Sequence, residues 1–213
     1  MNARDEILAR IQRSFAPAAR SSAEDHAAIP RDYIQAGTLD PEERLDIFED
    51  RVRDYGAEVY RCASAQLPET IAIAMNAAGV SSLVIPEDIG PNWLPKSGGF
   101  TFARDENLSY ADLDRSEGVL TTCAVAIALT GTIILRHGRS GRRAVTLIPD
   151  YHLCIVRASQ VVDTVPEAIR ELESPTRSPI TTISGPSATS DIELTRIKGV
   201  HGPRRLAVIL VIA

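Results

Sequence analysis

The sequence predicts an α/β protein whose mostly parallel sheet is flanked by helices. Three observations carry this. From about residue 39 onward, strand-like and helix-like segments alternate, the order of a βαβ chain. Apolar runs such as 83–85 lack polar alternation, as strands covered on both faces do. Apolar residues make up 44% and charged residues 24% of the 213, enough for a core and too apolar for a disordered chain.

Taken in order, Asn2 is placed to cap a first helix with Asp5 in its opening turn, and Ile7, Leu8, Ile11 and Phe15 recur on one face. Residues from about 17 to 38 lack periodicity and read as a linker. Residues 1–38 are therefore expected to be a helix and linker free to dock away from their neighbours, another subunit of a homo-oligomer being one receiver. The main domain is expected over 39–213. It opens at Asp40-Pro41-Glu42-Glu43, where a capping side chain, a proline at the first helical position and two acids converge. Leu45, Phe48, Val52 and Tyr55 supply the buried face of that helix and Gly56 ends it.

AEVYRC then reads as a strand, LPETIAIAMNAAG as a helix and SSLVIP as a second strand. DIGPNWLPKSGGFTF, broken by Gly and Pro, is expected to be a loop carrying the single tryptophan, Trp93. VLTTCAVAIALTGTIIL reads as strand, short apolar helix and strand, with AVTLIP and HLCIVRA continuing the sheet. Thr164-x-x-Glu167 matches a capping box ahead of PEAIRELES. TTISG opens the last unit, whose polar rim and closing strand run from Ile183 to Ile212.

Composition excludes several functions. The net charge of −5, without a long basic stripe, gives no attraction to a phosphate backbone, so no nucleic-acid partner is expected. Arg136, Arg139, Arg142 and Arg143 are a local exception, read as a solvated loop or as an anion or partner contact. The uncharged run Gly118–Leu135 has 18 residues but carries four threonines and two glycines, which fits a buried sheet better than lipid. The N-terminus MNARDEILARIQRS carries acids and no apolar core of signal-peptide length, so a cytoplasmic location is expected. Cys62, Cys123 and Cys154 lack ligand spacing and lie in apolar runs, so they read as small hydrophobes; no metal or other cofactor is expected.

Three constellations can carry chemistry. Gly185-Pro186-Ser187-Ala188-Thr189-Ser190-Asp191 offers hydroxyls and backbone N–H groups at an expected helix start, an anion-binding arrangement. Ser190-x-x-Glu193 equally satisfies a capping box, and both readings stay open. Gly199-Val200-His201-Gly202-Pro203 sets a histidine between glycines with Arg204 and Arg205 beside it, either as an acid or base titrating near neutrality or as a tight turn. Thr130-Gly131-Thr132 is a third small-residue turn that either faces the Ser187 cleft or simply packs. Asp150-Tyr151-His152 holds a possible acid and base at a loop end. The fingerprints of serine hydrolases, P-loop nucleotidases and Rossmann dehydrogenases are missing.

ALTGTIIL at 128–135, LIPDYHLCIV at 147–156 and SGPSATSDIELTRIKGVHGPRRLAVILV at 184–211, with the opening MNARDEILARIQRS, resemble the lactate utilisation protein C family, also described as the LUD domain. The resemblance implies a fold similar to the glucosamine-6-phosphate deaminase, ribose-5-phosphate isomerase and coenzyme A transferase group. It also implies a part in oxidising L-lactate to pyruvate beside two iron–sulfur proteins, as the clusterless member. Family members usually read Ala-Glu-Thr-Gly-Thr where this chain has Ala128-Leu129-Thr130-Gly131-Thr132, and leucine is no general base. The expected function is a subunit that assists lactate oxidation and holds a small anion near Ser187 and His201. The alternatives are an independent enzyme on a sugar phosphate or acyl thioester, with His201 as acid or base, and a non-catalytic interaction scaffold.

Overall fold

The computed structural model describes residues 2–14, 23–138, 140–173, 178–190, 196–199 and 201–212. The chain divides into two units, Met1–Tyr33 and Ile34–Ala213. The first holds α1 (Ala3–Ser14) and α2 (Ala23–Ala27). Asn2 caps α1 as its sequence predicts, its Oδ1 accepting the Asp5 N–H at 2.9 Å. Ile7, Leu8 and Ile11 of the predicted apolar stripe are exposed; Phe15 lies outside the described residues.

In the second unit, α3 (Pro41–Asp54) starts where the capping signals converge: the Asp40 carboxylate accepts the Glu42 N–H at 3.0 Å, Pro41 takes the first helical position, and Leu45, Phe48 and Val52 are buried. There follow β1 (Glu58–Ala63), α4 (Leu67–Ala78), β2 (Ser82–Ile85), β3 (Thr101–Arg104), α5 (Tyr110–Arg115), β4 (Val119–Thr122), β5 (Val125–Ile127), β6 (Thr132–Arg136), β7 (Tyr151–Arg157), β8 (Val161–Val162), α6 (Val165–Leu172), β9 (Ile180–Ile183), β10 (Ala188–Ser190), β11 (Arg196–Lys198) and β12 (Arg205–Ile212).

Six strands form a sheet in the order β1-β12-β7-β4-β2-β3, every neighbouring pair parallel. The last strand of the chain thus sits between β1 and β7. Its side chains alternate between faces: Leu206, Val208 and Leu210 join one core cluster, while Ala207, Ile209 and Val211 join another. A second sheet, β8-β5-β6-β9, and α3 cover the first face, and α4 covers the second. On the outer side of the second sheet Ala168 of α6 packs on Val125, Ile127 and Ile134. This α/β architecture with a mostly parallel central sheet is the predicted one.

Four local expectations are corrected. The short apolar helix expected inside 118–135 is strand β5, antiparallel to β6 and parallel to β8; the Thr130-Gly131 turn that closes this hairpin leaves no room for a helical turn. The expected strand AVTLIP is a 3-10 turn over Arg143–Thr146 that buries Val145 and Thr146 instead of extending a ladder. The Trp93 loop ends in an edge strand, β3. Finally, Thr189 and Ser190 stand in a strand, paired with Ile197 and Arg196 of β11, where a helix start was expected. Asp191 and Glu193, the other half of that expectation, lie outside the described residues.

Candidate functional site

At the N-terminal ends of β7 and β12, between the two sheets, lies a cavity of about 210 Å³. Thr181 and Ile183 of β9 form one wall, and His152 of β7 and Leu206 of β12 form the other. Loops 184–187 and 201–203 and the turn holding Arg143 and Thr146 close the rim. The two loops are stitched together: the Ser187 N–H donates to the Pro203 carbonyl at 2.8 Å, the Gly199 N–H to the Ser187 carbonyl at 3.0 Å, and the His201 N–H to Ser187 Oγ at 2.9 Å. The predicted residues Gly185, Ser187, His201 and Gly202 therefore line one cavity.

The Thr130-Gly131-Thr132 turn reaches this place through hydroxyls. Thr130 Oγ1 lies 2.7 Å from Thr132 Oγ1, which lies 2.9 Å from Ser184 Oγ on the rim. Two glycines let these turns press on α3. At Gly131, with φ +59°, a Cβ would stand 2.7 Å from Arg51 Cβ, and at Gly185, with φ +84°, 2.5 Å from Tyr55 Cβ. Only a residue without a side chain adopts both the left-handed conformation and that approach. Leu129, beside the turn, is exposed.

Positive charge at the rim comes from Arg143, whose Nη2 donates to the His201 carbonyl at 3.4 Å and Nη1 to Thr146 Oγ1 at 3.3 Å. The other arginines of its cluster are occupied elsewhere. Arg142 forms a two-point bond to Asp105 at 2.9 Å and Arg136 donates to the Leu172 carbonyl at 2.7 Å, while Arg139 lies outside the described residues. Arg204 pairs with Asp150 at 3.5 Å and Arg205 lies over the Tyr151 ring at 5.1 Å, so neither is placed with the residues that line the cavity.

His152 is 1% exposed, with Nε2 2.7 Å from Thr121 Oγ1. Burial, reinforced by the nearby Arg143 charge, pushes its pKa down to about 4. At neutral pH it is a neutral hydrogen-bonding wall. Its expected acid partner, Asp150, is engaged by Arg204. A further histidine went unmarked in the sequence: His137 Nδ1 lies 3.1 Å from the Gly141 carbonyl and Nε2 2.7 Å from Thr181 Oγ1, across 44 residues. No local spacing announces such a pair. Cys62 belongs to the core on the α4 side and Cys123 and Cys154 to the core on the other. Burial raises the Cys154 thiol to about 12 and Cys123 well above its usual value, so both behave as apolar residues.

A profile of the LUD domain matches residues 45–211, which span both walls and the whole rim of the cavity. The chain belongs to the LUD domain family. Over 210 residues, this LUD protein is 46% identical to the lactate utilization protein C of Deinococcus radiodurans, covering 97% of this chain and 94% of that one. It is 26% identical to the lactate utilization protein C of an Exiguobacterium species over 221 residues, 98% and 95% of the two chains. The crystal structure of a DUF162 family protein from Deinococcus radiodurans superposes with a TM-score of 0.70 at 45% identity, over 82% of this chain and 99% of that one. Among the described residues of this LUD protein no helix is long and apolar enough to cross a membrane.

Proposed function

We propose that this LUD protein serves lactate utilisation as a clusterless subunit that holds a small carboxylate in the cavity between Arg143, His201 and Ser187. The convergence of these three residues on one cavity carries the reading. Arg143 supplies a fixed positive charge and a donor fork suited to a carboxylate, and the Ser184 and Ser187 hydroxyls add neutral partners. About 210 Å³ is below the ~300–1,000 Å³ of pockets that take drug-sized ligands, which favours a metabolite of a few heavy atoms. Relatives named for lactate utilisation support L-lactate or pyruvate as that metabolite. With its thiols buried on two faces of the sheet, the chain leaves electron transfer to iron–sulfur partner proteins in this reading.

Thermal unfolding with L-lactate or pyruvate tests it. A ligand at a hundredfold excess over its Kd stabilises the fold by about 2.7 kcal/mol, and His201→Ala is expected to reduce that gain. Unchanged melting with both compounds would overturn the proposal, as would equal gains in the variant and the wild type.

A further inference from the structure

The cavity contains a hydroxyl placed as a nucleophile is placed. Thr181 lines it, and Thr181 Oγ1 is 2.7 Å from His137 Nε2. The far side of the same ring is fixed, with Nδ1 3.1 Å from the Gly141 carbonyl. A carbonyl oxygen only accepts, so Nδ1 carries the proton, and in the neutral ring Nε2 presents its lone pair. The Thr181 hydroxyl must then donate to His137, which points its hydrogen away and leaves its oxygen lone pairs for another partner. Hydroxyl, base and a group that orients the base thus stand in sequence, the arrangement of an activated nucleophile. Backbone geometry holds it: β9 runs antiparallel to β6 with Thr181 opposite Leu135, and His137, just past β6, donates its own N–H to the Pro179 carbonyl at 2.9 Å.

We infer that Thr181 accepts an acyl group from activated acyl compounds, with His137 as its base. The step balances within the residues present. As Thr181 Oγ bonds to the acyl carbon, its proton passes to His137 Nε2 and the carbonyl electron pair moves to oxygen, where Arg143 is the positive charge lining the cavity. The carbonyl re-forms, the bond to the alkoxide or thiolate leaving group breaks, and that group takes the proton from His137. Water, deprotonated by His137, then attacks the ester carbonyl; the bond from the acyl carbon to Thr181 Oγ breaks, Thr181 Oγ takes the proton back from His137, and the acid leaves. The inference uses the same cavity as the proposed carboxylate site but does not depend on which carboxylate binds there.

The test incubates the full-length protein with p-nitrophenyl acetate and maps acetylated residues by peptide mass spectrometry. The chain has two lysines, Lys96 and Lys198, so background acetylation is readily told apart. Acetyl on Thr181, release of p-nitrophenol slowed by ~100-fold or more in His137→Gln, the scale of a general base, and persistence of the adduct in Thr181→Ser are expected. Thr181→Val, a strand-compatible isostere, is expected to lose the adduct while unfolding at the wild-type temperature in the absence of ligand. Acetyl confined to lysines or the N-terminus, or an equal rate in Thr181→Val, would overturn the inference whether or not lactate binds.

Discussion

His152 shows at the scale of one residue how position sets chemistry. A histidine on a strand covered by a second sheet is denied water, and burial and Arg143 lower its pKa from 6.5 to about 4. The unfolded chain therefore binds more protons than the folded one between those values, and stability rises with pH across that window. It is fully present above about pH 6.5 and is lost as the pH falls toward 4, by about 3 kcal/mol in all. Urea unfolding at pH 7 and pH 4.5 is expected to show the wild type losing about 2–3 kcal/mol more than His152→Gln; equal losses would contradict the assignment. From the sequence, His152 could only be a loop-end histidine beside Asp150. Its partner Thr121 is 31 residues away on another strand, a contact that parallel pairing creates and no local pattern encodes. The same holds for His137 and Thr181, whereas Gly185, Ser187, His201 and Gly202 were legible because they fall close together in two short loops that the fold then joins.

Single elements are anchored by a few polar contacts at their ends. Asp163, fully buried between β8 and α6, pairs with Arg44 of α3 and accepts the Leu39 N–H at 2.9 Å. It thereby ties the segment entering α3 to the entry of α6. Thr164 next to it caps α6 with the predicted box, Glu167 Oε2 lying 2.8 Å from both Thr164 N and Oγ1. Gly37 packs so closely that a Cβ there would stand 1.9 Å from Asp163 Oδ2. Breaking a buried ion pair typically costs about 3–5 kcal/mol. Arg44 keeps 29% exposure and can turn toward water, so Asp163→Ala is expected near the lower end, about 3 kcal/mol by urea unfolding; a loss below about 1 kcal/mol, the scale of a surface pair, would contradict this role. Elements whose ends carry such signals, α3 and α6, were legible in the sequence. β5 was not, because a three-residue apolar strand has no period to distinguish it from a buried helical turn. β10 was hidden by hydroxyl residues that suit a cap and a strand equally.

For the whole molecule, the proposed carboxylate site lies between the two sheets. His152 of β7 lies across the cavity from Thr181 and Ile183 of β9, with Arg143 and the Ser187 and His201 loops at its rim. Isothermal titration of L-lactate into the wild type and Arg143→Gln tests this most directly. One site is expected in the wild type, with affinity reduced ~10- to 100-fold in the variant, as the loss of a charged hydrogen bond of about 1.5–3 kcal/mol requires. Binding of equal strength in both proteins, or no binding heat for the wild type at millimolar L-lactate, would contradict it.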